Sequence, residues 1–378
     1  MIGMDVFGKL LLVRVDLNAA LLNKKIIVSK RFKAHANTIK DLQKKGARIV
    51  LLAHQGRKGG TDFISLTQHA RALSKLTGTR VTYVDDLYGK KAQRAINSLQ
   101  NGQAILLKNT RTMSNETKEG QDFSKTRFVQ TLSKYADAFV LDAFSVAHRA
   151  HASVVGFVGV IPCFQGPNVW REIEALEKLK KPQKPFVMIL SGAKSDELVD
   201  VMHALGKNAD AVILCGVMGE LYWKKKGIVF GKKDAFLEAY DLKELQLSKK
   251  IIMPKDFVLE DTRVVRVENL PVEQNTMDVG PLTIADIKAQ IARAKTVLMK
   301  GPLGFTEKGF VRATKQTLQA LKASPATSII GGGHLTTALE ECGFLDSDFT
   351  HVSLGGGSLV KYLSDKSLPG VVRIPSKL

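Results

Sequence analysis

Arginines, histidines and acids stand directly behind short apolar runs in the first half of this chain, and glycines stand behind the matching runs in the second half. In open α/β sheets ligands bind beyond the carboxyl ends of the strands, so chemistry is to be sought at these positions. The first set is Asp16 and Asn18, then His54, Gly56 and Arg57, then Arg111, then Asp142, His148, Arg149 and His151. An arginine fork grips phosphate or carboxylate oxygens through paired hydrogen bonds. Several such forks converging with histidines suit a small, highly anionic ligand, such as a phosphorylated acid. Any one of these residues alone reads as well as a surface or ion-paired side chain, but four strand ends in series favour a ligand.

The second set is Gly192-Ala193-Lys194, Gly216, Gly301-Pro302-Leu303-Gly304, Gly331-Gly332-Gly333 and Gly355-Gly356-Gly357. A glycine behind a strand lets the backbone approach a ligand, and the helix that follows offers free N–H groups and its positive dipole end to an anion. A lone glycine run is more often an ordinary turn, whereas several along one sheet suit a nucleotide and its phosphates. There is no P-loop pattern and no GxGxxG placed for a dinucleotide fold, so a nucleotide site here is of another kind. Phosphoryl transfer needs in-line reactants, exclusion of water and neutralised charge, which two domains with complementary sites supply by closing on each other.

The elements that hold these residues follow from the pattern. Short β-branched or leucine-rich runs at 10–15, 49–53, 104–107 and 138–141, and again at 186–190, 211–214, 296–299, 328–330 and 350–354, each lead through a turn into a stretch of helical periodicity. That alternation predicts the α/β class, with doubly wound parallel sheets covered by helices on both faces. At 378 residues the chain exceeds the size of one growing core, so two domains are expected. A helix over 170–180, stopped before Pro182 and Pro185, is the best boundary. The expected division is an N-terminal domain over 1–165, an interdomain helix and hinge over 166–182, a C-terminal domain over 183–355 and a final segment over 356–378.

Composition excludes several classes. With 44% apolar and 24% charged residues the chain is an ordinary globular one, neither collagenous nor disordered. Cys163, Cys215 and Cys342 are far apart and form no CxxC pair, which points to a reducing compartment and against structural zinc. The first residues lack the layout of a signal peptide, and no apolar run approaches the roughly eighteen residues of a membrane span. A cytoplasmic protein with no membrane partner is expected. The net charge of +20 attracts polyanions, but the lysine clusters carry no interleaved aromatics and no nucleic-acid motif, so a basic solvated surface is expected rather than a specific nucleic-acid partner.

At these residues the sequence resembles the phosphoglycerate kinase family, in order along nearly its whole length. Val13-Arg14-Val15-Asp16-Leu17-Asn18 resembles the family's VRxDxN, His54-Gln55-Gly56-Arg57 its HxGR, and the stretch from Asp142 to Ser153 its DAFxxAHRAHAS. Gly192-Ala193-Lys194 is similar to its GGAK turn, Asp278-Val279-Gly280-Pro281 to its DIGP, and Gly301-Pro302-Leu303-Gly304 with Glu307 to its GPxGxxE. The resemblance implies a two-lobed kinase of two Rossmann-like domains, with the acid substrate on the N-terminal lobe, Mg2+ with ATP or ADP on the C-terminal lobe, and hinge-bending closure. It implies that Asp16, Asn18, Arg31, His54, Arg57, Arg111 and Arg149 hold 3-phosphoglycerate, and that Arg31 and Lys194 stabilise the phosphoryl group in transfer. It assigns nucleotide binding to Gly192, Lys194, Gly216, Lys300, Pro302, Gly304, Glu307, Gly331, Gly332, Gly333 and His334, with the metal carried by the nucleotide. It also implies a final segment that returns toward the N-terminal lobe. A monomer without a covalent enzyme intermediate is expected.

Departures from the family pattern fall in the nucleotide half. Glu197 stands where many members carry a second lysine, Lys300 replaces an asparagine, His334 an aspartate used near the metal, and Leu354 a threonine. Lys300 could restore positive charge; His334 could donate to phosphate, or mark a metal contact moved to Asp196. Two other readings therefore stand beside an active kinase: a catalytically impaired phosphoglycerate-binding relative, and a basic polynucleotide-binding protein on the same scaffold.

Overall fold

The computed structural model of the chain describes residues 4–118, 120–192, 195–241, 250–364, 366–374 and 378. The chain divides into two units, one of residues 1–173 with 367–378, the other of residues 174–366.

The first unit is built on six parallel strands: β1 (Leu10–Arg14), β2 (Arg48–Leu52), β3 (Val81–Val84), β4 (Ala104–Leu107), β5 (Ala138–Leu141) and β6 (Cys163–Gln165), in the order β3-β4-β2-β1-β5-β6. Every residue of β1, β4 and β5 is buried, as expected of leucine- and valine-rich strands covered on both faces. The helix Lys30–Lys44 turns Phe32, His35, Ala36, Ile39 and Leu42 inward at three- and four-residue spacing, and its apolar members join Val13, Val15 and Leu51 in the core. Each fully buried leucine or phenylalanine there contributes roughly 1.5–3 kcal/mol. From β1 the chain winds to one side of the sheet and then crosses to β5 on the other, which leaves a crevice at the carboxyl ends of β1 and β5. Arg14 is in register with both Leu52 and Leu141, so Asp16, His54 and Asp142 emerge at one end of the sheet.

The second unit repeats the plan. Strands β7 (Phe186–Leu190), β8 (Ala211–Leu214) and β9 (Ile251–Ile252) precede a small antiparallel sheet of β10 (Asp256–Leu259), β11 (Val264–Arg266) and β12 (Thr276–Val279). Strands β13 (Thr296–Lys300), β14 (Thr327–Gly331) and β15 (His351–Ser353) complete a parallel sheet in the order β9-β8-β7-β13-β14-β15. Its switch point lies between β7 and β13, with Lys300 in register with Leu190 and Gly331.

Two boundaries differ from the sequence-based expectation. The linking helix runs Pro167–Lys180, three residues earlier than periodicity indicated, and opens on a proline, which suits a first helical position. The division between units falls inside it. The chain rejoins the first unit from Ser367 rather than from 356, because Leu359, Val360 and Leu363 of the helix Gly357–Leu363 are buried in the second unit, where that helix packs on Ser195–Leu205.

Candidate active site

Asp16 leaves β1 with its carboxylate buried and engaged. Oδ2 accepts from the Ser145 hydroxyl and lies 2.9 Å from Arg31 Nη1, and Oδ1 accepts the Asn18 N–H at 3.0 Å. Burial opposes its ionisation, but Arg31 and the two hydrogen bonds outweigh it and hold the carboxyl well below the ordinary range. Its backbone N–H donates to His35 Nε2 at 3.0 Å, so His35 carries its proton on Nδ1 and donates it to Asp142 Oδ2 at 2.9 Å. Asn168 donates to the same carboxylate through Nδ2 at 2.7 Å and through its N–H at 2.9 Å. Asp142 is thereby a brace inside the sheet end.

Asn18 Oδ1 accepts the Gly56 N–H at 2.8 Å and ties the end of β1 to that of β2. Gly56 has a φ of 66°, and a Cβ there would lie 2.5 Å from the Asp62 backbone, so a side chain does not fit. Its carbonyl accepts from Arg111 Nη1 at 2.5 Å, which fixes one face of that guanidinium. Arg111 stands on a short turn behind β4, where Asn109 accepts its N–H at 3.1 Å.

Arg57, Arg111 and Arg149 carry no ion pair with the described residues, yet they perturb one another. Burial, then Arg149, lowers the Arg111 pKa; burial, then Arg57, lowers that of Arg149. Burial followed by the nearby arginines pushes His151 down to about 3, and burial followed by Arg14 pushes His54 well below its ordinary value. Both rings are neutral at pH 7, so this end of the unit is a cluster of guanidinia and uncharged imidazoles with an excess of positive charge.

The second sheet ends differently. Ser191 donates its N–H to Lys300 O at 2.8 Å and its hydroxyl to Pro302 O at 2.6 Å, joining the turns behind β7 and β13. Gly301 has a φ of 85°, and a Cβ on it would sit 1.9 Å from Ser191 O. The helices Gly216–Lys225 and Gly333–Glu341 start at the strand ends, with their first N–H groups free of intrahelical partners. Gly192, Pro302, Gly304, Gly331 and Gly332 occupy the same rim. Below it the Asp278 carboxyl, pushed up to about 7 by burial, accepts the Ala313 N–H at 3.1 Å and lies against Gly304.

Two departures from the family pattern meet each other here. Lys300 Nζ lies 3.2 Å from Glu197 Oε2, with only 9% of the lysine side chain exposed. His334 Nδ1 pairs with Glu307 Oε1 at the surface; burial opposes it, but this pair and hydrogen bonds hold Glu307 below its ordinary pKa. Lys194 and the Asp196 side chain lie outside the described residues.

The structure thus brings Asp16, Asn18, Arg31, His54, Arg57, Arg111 and Arg149 to one sheet end, and the expected nucleotide residues other than Lys194 to the corresponding end of the other sheet. Sequence reasoning passed over Arg14, Glu116 and Ser153, which lie buried beneath the arginines. A signal was present: an arginine closing a run of leucine and valine is rarely buried unless it is paired.

Two doubly wound units, one offering guanidinia and the other bare backbone at its strand ends, define a phosphotransferase of the α/β kind. A family model described as phosphoglycerate kinase matches residues 1–366. The phosphoglycerate kinase of Methanosarcina mazei is 36% identical over 97% of this chain and 92% of its own, and that of Allorhizobium ampelinum is 36% identical over 97% and 96%. The crystal structure of phosphoglycerate kinase from Pyrococcus horikoshii OT3 superposes with a TM-score of 0.91 at 30% identity, covering 98% of this chain and 97% of that one. The chain belongs to the phosphoglycerate kinase family.

Proposed function

We propose that the chain catalyses reversible phosphoryl transfer between 1,3-bisphosphoglycerate with ADP and 3-phosphoglycerate with ATP, the phosphoglycerate kinase step of glycolysis and gluconeogenesis. The observation that carries this reading is the cluster of Arg57, Arg111 and Arg149, mutually repelling and without ion pairs to the described residues, at the switch point of a parallel sheet. Such a cluster is stabilised by a polyanion, and a phosphate with a carboxylate on one small molecule fits it. Asp16 and Asn18 fix Arg31 and the strand ends, Arg57, Arg111 and Arg149 bind the acid's anionic groups, and His54 adds a neutral donor. In the second unit the glycine turns and helix N-termini receive the phosphates of ATP or ADP, which bring Mg2+ with them as part of the substrate.

No general base is required, because the attacking oxygen belongs to a carboxylate or to an ADP phosphate that is already ionised. Arg31 and Lys194 stabilise the charge that develops on the phosphoryl group. A cytoplasmic location accords with three free cysteines; among the described residues no helix is long and apolar enough to cross a membrane.

A coupled assay with 3-phosphoglycerate and Mg-ATP, run beside Arg31→Ala and Lys194→Ala, tests the reading. Turnover in the parent that falls by about two orders of magnitude or more in each variant is expected, the scale of losing a donor to transition-state charge. Binding of phosphoglycerate without turnover in any nucleotide and divalent metal would instead favour the impaired relative.

A further inference from the structure

Beneath the arginine cluster lies a chain of side chains to which the transfer reaction assigns no part. Glu116 is 1% exposed, Arg14 1% and Ser153 wholly buried. Glu116 accepts the Ser153 hydroxyl at 2.5 Å and the Ser153 N–H at 3.0 Å. Ser153 Oγ in turn accepts from Arg14 Nε at 2.9 Å, and Arg14 Nη1 donates to the Val15 carbonyl. The remaining arm, Nη2, lies 3.0 Å from His54 Nδ1. A guanidinium has donors only, so His54 must accept at Nδ1 and carry its proton on Nε2. No described residue takes the Nε2 hydrogen. His54 stands two residues beyond β2, at the carboxyl end of the sheet, and is 5% exposed.

We propose that Arg14 is a positioning residue that locks His54 in its neutral, Nε2-protonated tautomer, so that the ring presents a fixed hydrogen-bond donor to an oxygen of the acid substrate. This rests on the reading of that sheet end as the phosphoglycerate site. A free neutral imidazole exchanges between tautomers, and the wrong one would turn a lone pair toward an anion. Arg14 forbids it, since an Nδ1 proton would face a guanidinium donor. Burial first, and then Arg14, Arg111 and Arg149 against Asp16, leave it uncharged rather than doubly protonated. Ser153 and Glu116 hold Arg14 in turn: Arg14 is the member with fork geometry, and a lysine cannot reach both Ser153 Oγ and His54 Nδ1.

The test is a long-range nitrogen-15 correlation spectrum of the full chain without substrate at pH 7, with the His54 signals identified by their loss in His54→Gln. An unprotonated Nδ1 and a protonated Nε2 are expected; an Nδ1-protonated ring or an imidazolium overturns the proposal whatever the enzyme's activity. In Arg14→Lys both tautomers are expected, with KM for 3-phosphoglycerate raised roughly tenfold, the scale of one hydrogen bond to a charged group, and KM for Mg-ATP unchanged. Because that variant could fold poorly, Arg14→Met combined with Glu116→Gln removes the buried pair together and should behave alike. If His54 keeps its single tautomer in both variants, or both KM values move together, Arg14 has no positioning role. Absence of turnover in the parent would count against the functional reading alone, since the tautomer is read without substrate.

Discussion

His69 shows what burial does to a side chain that binds nothing. It is wholly enclosed, its ring stacks on Phe32 at 5.7 Å, and its Nε2 lies 3.1 Å from Gln55 Oε1, which also accepts the Ala19 N–H. Burial pushes its pKa down to about 4. Between that value and about 6.5 the unfolded chain binds the extra proton and the folded one does not, so stability is lost as pH falls through this window. The stake is about 3 kcal/mol by the conversion of one pKa unit to 1.36 kcal/mol. Denaturant unfolding at pH 7.5 and pH 5 should show parent stability falling more than that of His69→Gln; equal losses would mean that the ring is hydrated. The same scale shows what sequence can and cannot give. Asp16, His54 and Arg149 were legible because they follow apolar runs within short motifs. Arg14 stands in the same motif, yet its partners Glu116 and Ser153 are over a hundred positions along and reach it only through the sheet.

At the scale of elements, β7 and β13 lie side by side, and their ends bring Glu197 and Lys300 together across 103 positions of sequence. Read along the chain these are two unrelated departures from a pattern; in space they are one exchanged pair. A double-mutant cycle of Glu197→Gln and Lys300→Met, followed by denaturant unfolding, should give a coupling of about 0.5–3 kcal/mol, with the double variant less destabilised than the singles together. Additivity within about 0.5 kcal/mol would show the pair to be idle. The central strands were readable because burial on both faces demands continuous apolar runs. Val81–Val84, Cys163–Gln165 and Ile251–Ile252 were not, since each is a short edge strand with partly exposed residues. In the antiparallel sheet of β10, β11 and β12, also missed, one of the two outer strands, Val264–Arg266, is only three residues long and largely exposed.

At the scale of the whole molecule, the net charge of +20 sets a field into which an anionic substrate falls. Salt shortens the reach of that field, to about 10 Å at 0.1 M. KM for 3-phosphoglycerate should therefore rise severalfold between about 0.02 M and 0.3 M potassium chloride, with kcat changing less. A KM indifferent to salt would mean that the arginine cluster does not receive the acid. Division into two α/β units was legible from length and from the change of residue type at the strand ends, whereas the point of return at Ser367 depends on which unit buries Leu359 and Leu363.

That return has a consequence for biosynthesis. Leu368, Ile374 and Leu378 are buried in the first unit, Gln165 Nε2 holds the Ile374 carbonyl at 2.6 Å, and Gly370 lies against Leu141 and Ala147. A ribosome finishes residues 1–173 and then makes all of residues 174–366 before it supplies this segment. At 5–20 residues per second that is a delay of roughly ten to forty seconds. Throughout it the nascent first unit exposes the apolar surface that these residues later cover, so the second unit, whose chain is continuous, is the one able to complete its core without waiting.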